Sequence, residues 1–164
     1  MELPPKTIQV FAKELKGSDL LAFKALAEVD IPYAKALALL RDVEESTRWD
    51  ETLLKKVTIK NISDVEAITY SVVDIPWPFK DRDMVLSNKL LYDKKTKELI
   101  VSTQSIDHPQ YPANDDYVRA RMRFANMRFL PLPNGKARIQ IEIHVDPKGS
   151  IPKWVINWVQ EDMP

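Results

Sequence analysis

Most of the chain after residue 50 alternates between apolar and polar residues, which is the period of a β-strand with one buried face. The pattern is clearest in Ile139-Gln-Ile-Glu-Ile-His-Val145, where every second residue is aliphatic. Together with the β-branched residues and the polar turns, it predicts eight strands. Their predicted bounds are 7–13, 20–29, 53–62, 65–73, 82–92, 98–107, 117–130 and 137–146.

Between the second and third of these strands the spacing becomes helical. Ala34, Leu37 and Ala38 follow a possible cap at Asp30 and a proline at position 32. A cap and an early proline are typical of a helix start, so we expect a helix of about ten residues to start there. A second short helix or turn is predicted over 43–49.

The last segment turns a Pro/Gly corner and becomes an amphipathic helix. Pro147 cannot continue a central strand, and Gly149 permits the chain to reverse. Beyond the corner, apolar side chains recur on one helical face, at Ile151, Trp154, Val155 and Trp158. Such a face needs a large apolar surface to pack against.

The order of these elements indicates the fold class. Two strands, two short helices, six strands and a terminal helix make an α+β order, unlike the alternating order of a parallel sheet. Sequential hairpins predict a curved antiparallel sheet, and the terminal helix is the element left to cover one of its faces. A length of 164 residues suits one domain, so we expect residues 1–164 to form a single domain.

Composition then limits the partners. The 24 basic and 24 acidic side chains cancel, so no overall field attracts nucleic acid, and a lipid or neutral small molecule is the more natural partner. The absence of cysteine excludes disulfides and thiolate nucleophiles. Neither a signal peptide nor a run of about 20 apolar residues is visible, and compartment and oligomeric state stay open.

The proline-rich connection at 76–79, Pro-Trp-Pro-Phe, has two interpretations. Its aromatic side chains, held stiffly between prolines, could gate a cavity or touch a membrane surface. The interpretation we favour is a plug that closes the end of the core, with Arg82 paired to Asp81 or Asp83.

Arginines at positions 119, 121 and 123 alternate along one predicted strand. Arginines at this period could bind phosphate, but a solvated face that pairs with cross-strand carboxylates such as Glu142 is the favoured interpretation. The two histidines, His108 and His144, show no metal-ligand spacing, and we interpret His108 as a loop cap.

Asn88 is a polar residue in register with apolar neighbours on the strand at 82–92. Leaving its amide buried and unsatisfied costs about 1–3 kcal/mol, so it needs a partner. That partner is either a ligand head group or water in a cavity, or a backbone neighbour. No glycine-rich phosphate loop or compelling nucleophile-base order accompanies it.

Four blocks occur in a characteristic order and spacing: Trp49-Asp50, Pro76-Trp-Pro with Asp81-Arg-Asp-Met-Val85, Ser105-Ile-Asp-His-Pro-Gln-Tyr-Pro112 with Tyr117-Val-Arg119, and Asp146-Pro-Lys-Gly-Ser-Ile-Pro-Lys-Trp-Val-Ile-Asn157. With these blocks, nearly the whole chain resembles the StAR-related lipid-transfer (START) domain, a member of the helix-grip superfamily. The Pro-Trp-Pro version is most similar to bacterial members.

The resemblance implies a helix-grip fold, in which a curved antiparallel sheet wraps around a C-terminal helix, with a lipid-sized tunnel between them and no cofactor. It also implies one hydrophobic ligand, such as a sterol, phospholipid, ceramide or carotenoid. The terminal helix and the loop at 92–97 would act as a lid, and the loop's lysines could meet anionic head groups during transient contact with a membrane.

Two departures from the family pattern qualify this expectation. In sterol-transfer members the tunnel holds an acidic and a basic side chain, and the matching positions fall near Ser71 and Asn88, so a cholesterol-like specificity is not expected. The helix that usually precedes the first strand is missing, and the terminal helix is short. We therefore expect either that this helix continues past Pro164 or that one tunnel end is open.

The first hypothesis is binding, and transfer, of a lipid in an internal tunnel without catalysis. The expected lining residues are Ser71, Met84, Leu86, Asn88, Leu90, Val118, Ala120, Met122, Ile139, Ile141, Ile143, Trp154, Val155 and Trp158. A second hypothesis is a helix-grip enzyme of the cyclase or hydrolase type, in which Asn88, Ser71 or Tyr70 orients a hydrophobic substrate. A third is a ligand-free interaction module whose cavity is filled by side chains.

Overall fold

The computed structural model describes residues 8–29, 50–133 and 135–152, together with residues 32, 35 and 47. Within these residues nine strands form one sheet. The strands are β1 (Gln9–Glu14), β2 (Leu21–Val29), β3 (Leu53–Ser63), β4 (Glu66–Val73), β5 (Arg82–Asp93), β6 (Glu98–Ser105), β7 (Val118–Arg119), β8 (Arg121–Pro131) and β9 (Ala137–Asp146).

The sheet is curved, open and almost entirely antiparallel. Its strand order is β1-β2-β9-β8-β6-β5-β4-β3, so β1 and β3 form the two edges. Successive hairpins build most of the sheet, whereas the first hairpin joins it by pairing β2 with β9. The two-residue strand β7 is the exception, because it pairs in parallel with the start of β5.

Seven of the eight predicted strands are confirmed, with bounds within two residues of those observed. The prediction of a single strand over 117–130 was wrong, because the chain divides it into β7 and β8 at Ala120. Instead of continuing one ladder, the Ala120 N–H donates to the carbonyl of Asp83 at 3.0 Å. The predicted helices lie almost wholly outside the described residues, although Lys35 and Thr47 have a helical backbone.

The strand register divides the side chains between two faces of the sheet, since cross-strand partners point the same way. We call one of them the apolar face. On β2, β9, β8 and β6 its side chains are Phe23, Ala25, Ala27, Ile139, Ile141, Ile143, Ala125, Met127, Phe129, Leu99 and Val101. The opposite face of these four strands carries the ion pairs Lys24–Glu142, Arg138–Glu28 and Arg128–Glu98.

On β4 and β5 the face opposite to the apolar face is covered by a connecting segment. Ile68, Tyr70, Val72 and Val85 form a buried cluster there, against which Ile106, Tyr111 and Tyr117 of the connection between β6 and β7 pack. The rings of Tyr70 and Tyr111 lie 4.8 Å apart. Because fully burying one such aliphatic side chain stabilises the fold by about 1.5–3 kcal/mol, this cluster fixes the strands that carry the candidate site.

Candidate functional site

The described members of the predicted tunnel lining lie on one face of the sheet. In one continuous row, Leu90 pairs with Val101, which pairs with Met127, which pairs with Ile141. A second row joins Ser71 to Met84. Register and packing bring together eleven of the fourteen predicted residues: Ser71, Met84, Leu86, Asn88, Leu90, Val118, Ala120, Met122, Ile139, Ile141 and Ile143.

The other three predicted residues, Trp154, Val155 and Trp158, lie outside the described part of the chain. A role in ligand binding stays a prediction for all fourteen. What the structure adds is that the described ones share one face of the sheet, on which Val101 and Thr103 of β6 join β5 to β8.

Asn88 forms the centre of a short polar row within this surface. Its Nδ2 donates to Thr69 Oγ1 at 3.0 Å and to two backbone carbonyls at 3.3 and 3.4 Å, while Thr103 Oγ1 donates to Asn88 Oδ1 at 3.0 Å. Of the two alternatives for this amide, bonding to protein neighbours is the one observed. Thr69 and Thr103 were not predicted, because only the cross-strand register places them beside Asn88.

Lys56 is a further residue of this face that the sequence pattern did not predict. It pairs with Ser71, so its side chain projects to the apolar face next to a predicted lining residue. Burial lowers the pKa of the Lys56 ammonium, and the attraction of Asp50 opposes this shift only in part. Within the described residues the ammonium forms neither a hydrogen bond nor an ion pair.

Arg82 connects the start of β5 to the corner that follows β9. Only 4% of this residue is exposed, and its guanidinium donates to the carbonyls of Pro147 and Lys148, each at 2.9 Å, and to that of Lys80. The expected pairing of Arg82 with Asp81 or Asp83 was therefore wrong. The guanidinium thus bonds two carbonyls of the corner after β9 and one carbonyl of the connection before β5.

Asp83 pairs instead with Arg119, on the opposite face of the sheet. Arg119 donates to both carboxylate oxygens, at 2.8 and 2.9 Å, and also to the carbonyl of Tyr111 at 3.0 Å. The Tyr70 hydroxyl donates to the same carboxylate at 3.1 Å, and burial together with Asp83 raises the pKa of Tyr70 to about 12. The Arg119 side chain is only 13% exposed, so the prediction that it lies on a solvated face was wrong.

The Pro-Trp-Pro connection does not plug the core with its tryptophan. Trp77 is 92% exposed, and the nearby buried apolar residue is Ile75, whose N–H donates to Asp81 Oδ1 at 3.1 Å. The plug interpretation was therefore wrong for Trp77. An exposed indole is consistent with the other interpretation, in which this loop gates a cavity or touches a membrane surface.

A polar cavity of about 380 Å³ lies beside the turn between β1 and β2, and Met122 of the predicted lining borders it. His144 is in its wall, with Nε2 and the Ser18 hydroxyl 3.0 Å apart. His108, the other histidine, makes an edge contact with Tyr111 at 6.1 Å between ring centroids. Among the described residues, no group of three or more potential ligands could hold a metal ion, and no helix is long and apolar enough to cross a membrane.

Comparison with known sequences assigns the chain to a family. The sequence model of the START domain matches residues 1–163. The chain belongs to the START domain family. Human START domain-containing protein 10 is 29% identical over 128 residues, which cover 78% of this chain, and mouse phosphatidylcholine transfer protein is 27% identical over 74% of it. An uncharacterised protein of Pseudomonas aeruginosa is 24% identical over 96% of the chain.

Solved structures of START domains show the same fold. The structure of human STARD10 superimposes with a TM-score of 0.84 and 26% identity over 97% of this chain and 65% of its own. A START fragment from Xanthomonas axonopodis gives a TM-score of 0.79 at 22% identity, over 97% of this chain and 88% of its own. The predicted START fold is thereby confirmed.

The matched regions differ in how much of each relative they cover. The START domain of this chain spans 43% of human START domain-containing protein 10, 56% of mouse phosphatidylcholine transfer protein and 76% of the Pseudomonas protein.

Proposed function

We propose that this START domain binds one lipid molecule against the apolar face and transfers it between membranes, without catalysing a reaction on it. The observation that carries the proposal is the continuous apolar surface across β4, β5, β6, β8, β9 and β2, which is interrupted only by a few polar groups. Ligand sites in proteins have this composition.

The energetics suit a lipid ligand. Burying about 300 Å² of apolar ligand surface, at about 25 cal/mol per Å², supplies about 7 kcal/mol before the cost of association. The names of the relatives agree with this chemistry, since they include a phosphatidylcholine transfer protein and StAR-related lipid transfer proteins.

The enzyme alternative has less support. Catalysis would need titratable groups that converge on the ligand surface. Asp83, a deeply buried carboxylate, lies on the opposite face and is held by Arg119 and Tyr70. Of the polar residues described on the apolar face, Asn88 and Thr103 hydrogen-bond to each other, and the titratable Lys56 forms no ion pair with a described residue.

Transfer also requires contact with a membrane. The exposed Trp77 is one candidate contact, because tryptophan favours the interface between water and lipid. The exposed turn between β5 and β6 supplies Lys94, Lys95 and Lys97, which could meet anionic head groups.

The proposal is tested by extracting lipids from the purified protein and by native mass spectrometry against a lipid panel. Two neighbouring substitutions on β8 provide a matched pair. Ala125→Phe adds a ring to the apolar face between Thr103 and Ile143, whereas Asn126→Phe adds the same ring to the opposite face. We expect Ala125→Phe to weaken lipid binding at least about tenfold, or about 1.4 kcal/mol, and Asn126→Phe to leave it unchanged.

Thermal unfolding of both variants controls for damage to the fold, because overpacking costs about 1–3 kcal/mol. A wild-type protein that carries no lipid after purification and binds none in the panel contradicts the proposal. Equal losses of binding in two folded variants would place the site elsewhere.

A further inference from the structure

Two adjacent lysines on β3 project to opposite sides of the sheet. Lys55 pairs with Val72, and its Nζ lies 5.8 Å from the centre of the Tyr70 ring, on the opposite face. Lys56 pairs with Ser71, which pairs in turn with Met84 of the apolar face. Lys56 therefore brings a positive charge to the surface that we propose for the lipid.

The surroundings of Lys56 give this charge little compensation. The residue is partly buried, and burial lowers the pKa of its ammonium. The carboxylate of Asp50 accepts hydrogen bonds from the Thr52 N–H and hydroxyl, at 3.1 and 2.6 Å, and no ion pair joins it to Lys56 in the described structure. An ammonium has three donors, and removing them from water without partners is costly.

Other polar groups of the apolar face are less available to a ligand. The Asn88 amide already has four hydrogen bonds, to Thr69, to Thr103 and to two carbonyls. The Ser71 hydroxyl, directly across from Lys56, forms no side-chain hydrogen bond within the described residues. The Lys56 ammonium and the Ser71 hydroxyl thus lie on neighbouring strands without a hydrogen-bond partner among the described residues.

We propose that Lys56, assisted by Ser71, anchors an anionic oxygen group of the bound lipid, so that the domain selects lipids with an ionised acid group over neutral ones. The inference rests on the proposed lipid binding. A carboxylate or a phosphate fits, because both accept charge-assisted hydrogen bonds from an ammonium, and these are roughly twice as strong as neutral ones. The lipid's acyl chain would then extend over the aliphatic rows of β8 and β9.

The test compares three saturated lipids of one chain length that end in a carboxylate, a phosphate monoester or an alcohol. Their affinities are measured for the wild type, for Lys56→Met and for Lys55→Met, the last being the matched control on the opposite face. We expect the wild type to bind at least one acid about tenfold more tightly than the alcohol. Whichever of the two acidic lipids binds more tightly shows whether the site prefers a carboxylate or a phosphate.

In Lys56→Met we expect this preference to disappear, with the affinity for the alcohol within about twofold of the wild-type value. Lys56→Arg keeps the charge and should keep most of the preference, whereas Lys55→Met should behave as the wild type. A wild type that binds the alcohol as tightly as both acids overturns the inference and leaves lipid binding intact.

Two further results would also be decisive. An acid preference that survives in folded Lys56→Met assigns the anion to another residue and overturns the inference. If the wild type binds none of the three lipids and none of the wider panel, both the inference and the proposed function are wrong. Thermal unfolding of each variant identifies loss of binding that comes from loss of the fold.

Discussion

The face that Lys56 occupies depends on two irregularities in β3. The register shifts between Leu53 and Lys55 and again between Thr58 and Lys60. Leu53 and Asn61 both lie on the apolar face, so strict alternation from either one assigns Lys56 to the opposite face. A β-bulge inserts one residue and reverses the alternation beyond it, which explains why the sequence pattern did not reveal this charge.

A lysine with a lowered pKa should destabilise the ligand-free protein at neutral pH. We expect Lys56→Met to have a higher free energy of unfolding than the wild type at pH 7, because it removes an ammonium that burial desolvates. Lys55→Met, whose charge lies on the opposite face, should not show this gain.

The gain in the free energy of unfolding of Lys56→Met over the wild type should decrease as the pH rises. Between the lowered folded-state pKa of Lys56 and the unfolded-state value of about 10.4, the unfolded chain binds more protons, so wild-type stability rises with pH relative to the variant. The difference between the two proteins should therefore shrink as the pH approaches 10. Urea denaturation at pH 7 and near pH 10 measures it, and a difference that grows with pH would contradict the assignment.

At the scale of elements, the corner after β9 is held by one buried side chain from β5. Arg82 bonds the carbonyls of Pro147 and Lys148, and a Cβ added at Gly149 would lie 3.3 Å from Arg82 Nη2. Gly149 has a φ of 70°, a conformation that side chains disfavour. Glycine therefore suits this position for two reasons: it adopts the positive φ without strain, and it has no Cβ to crowd the Arg82 guanidinium.

Gly149→Ala should destabilise the protein more than Gly135→Ala. Both glycines have positive φ, at 70° and 76°, so both substitutions carry the backbone strain of about 1–3 kcal/mol. Only Gly149 has a neighbour in the way, since nothing lies within 4 Å of a Cβ at Gly135. Chemical denaturation of the two variants measures the difference, and equal losses would show that the corner yields to the added methyl group.

Two of the predicted strands show which parts of the fold a sequence pattern predicts. The bounds of β9 follow from alternation alone, and they are observed as predicted. The division of the predicted strand at 117–130 was missed, because at that point the Ala120 N–H donates to the carbonyl of Asp83, a residue of a distant strand. Periodicity describes which face a strand buries, whereas a break that coincides with a distant backbone contact leaves no local signal.

At the scale of the whole molecule, the apolar face joins segments from both halves of the chain. Its rows run from Lys56 on β3, through β5, β6, β8 and β9, to Phe23 on β2. The alternation was enough to predict which residues of β5 and β9 share this surface, whereas Ser71 of β4 was expected there from the family resemblance. It could not predict the strand order, in which β2 pairs with β9, because that pairing joins residues more than a hundred positions apart.

A lipid that spans these rows should stabilise the molecule as a unit. A ligand at 100 times its Kd adds about 2.7 kcal/mol to the free energy of unfolding, which corresponds to about 5–10 °C in Tm for a domain of this size. We expect such a rise for the wild type with its preferred acidic lipid, and a much smaller one for Ala125→Phe at the same lipid concentration. Hydrogen exchange should slow in β2 and β9 as well as in β5, since the proposed ligand surface crosses all three. Protection confined to one strand would mean that the lipid binds an edge of the sheet instead of the face that these strands share.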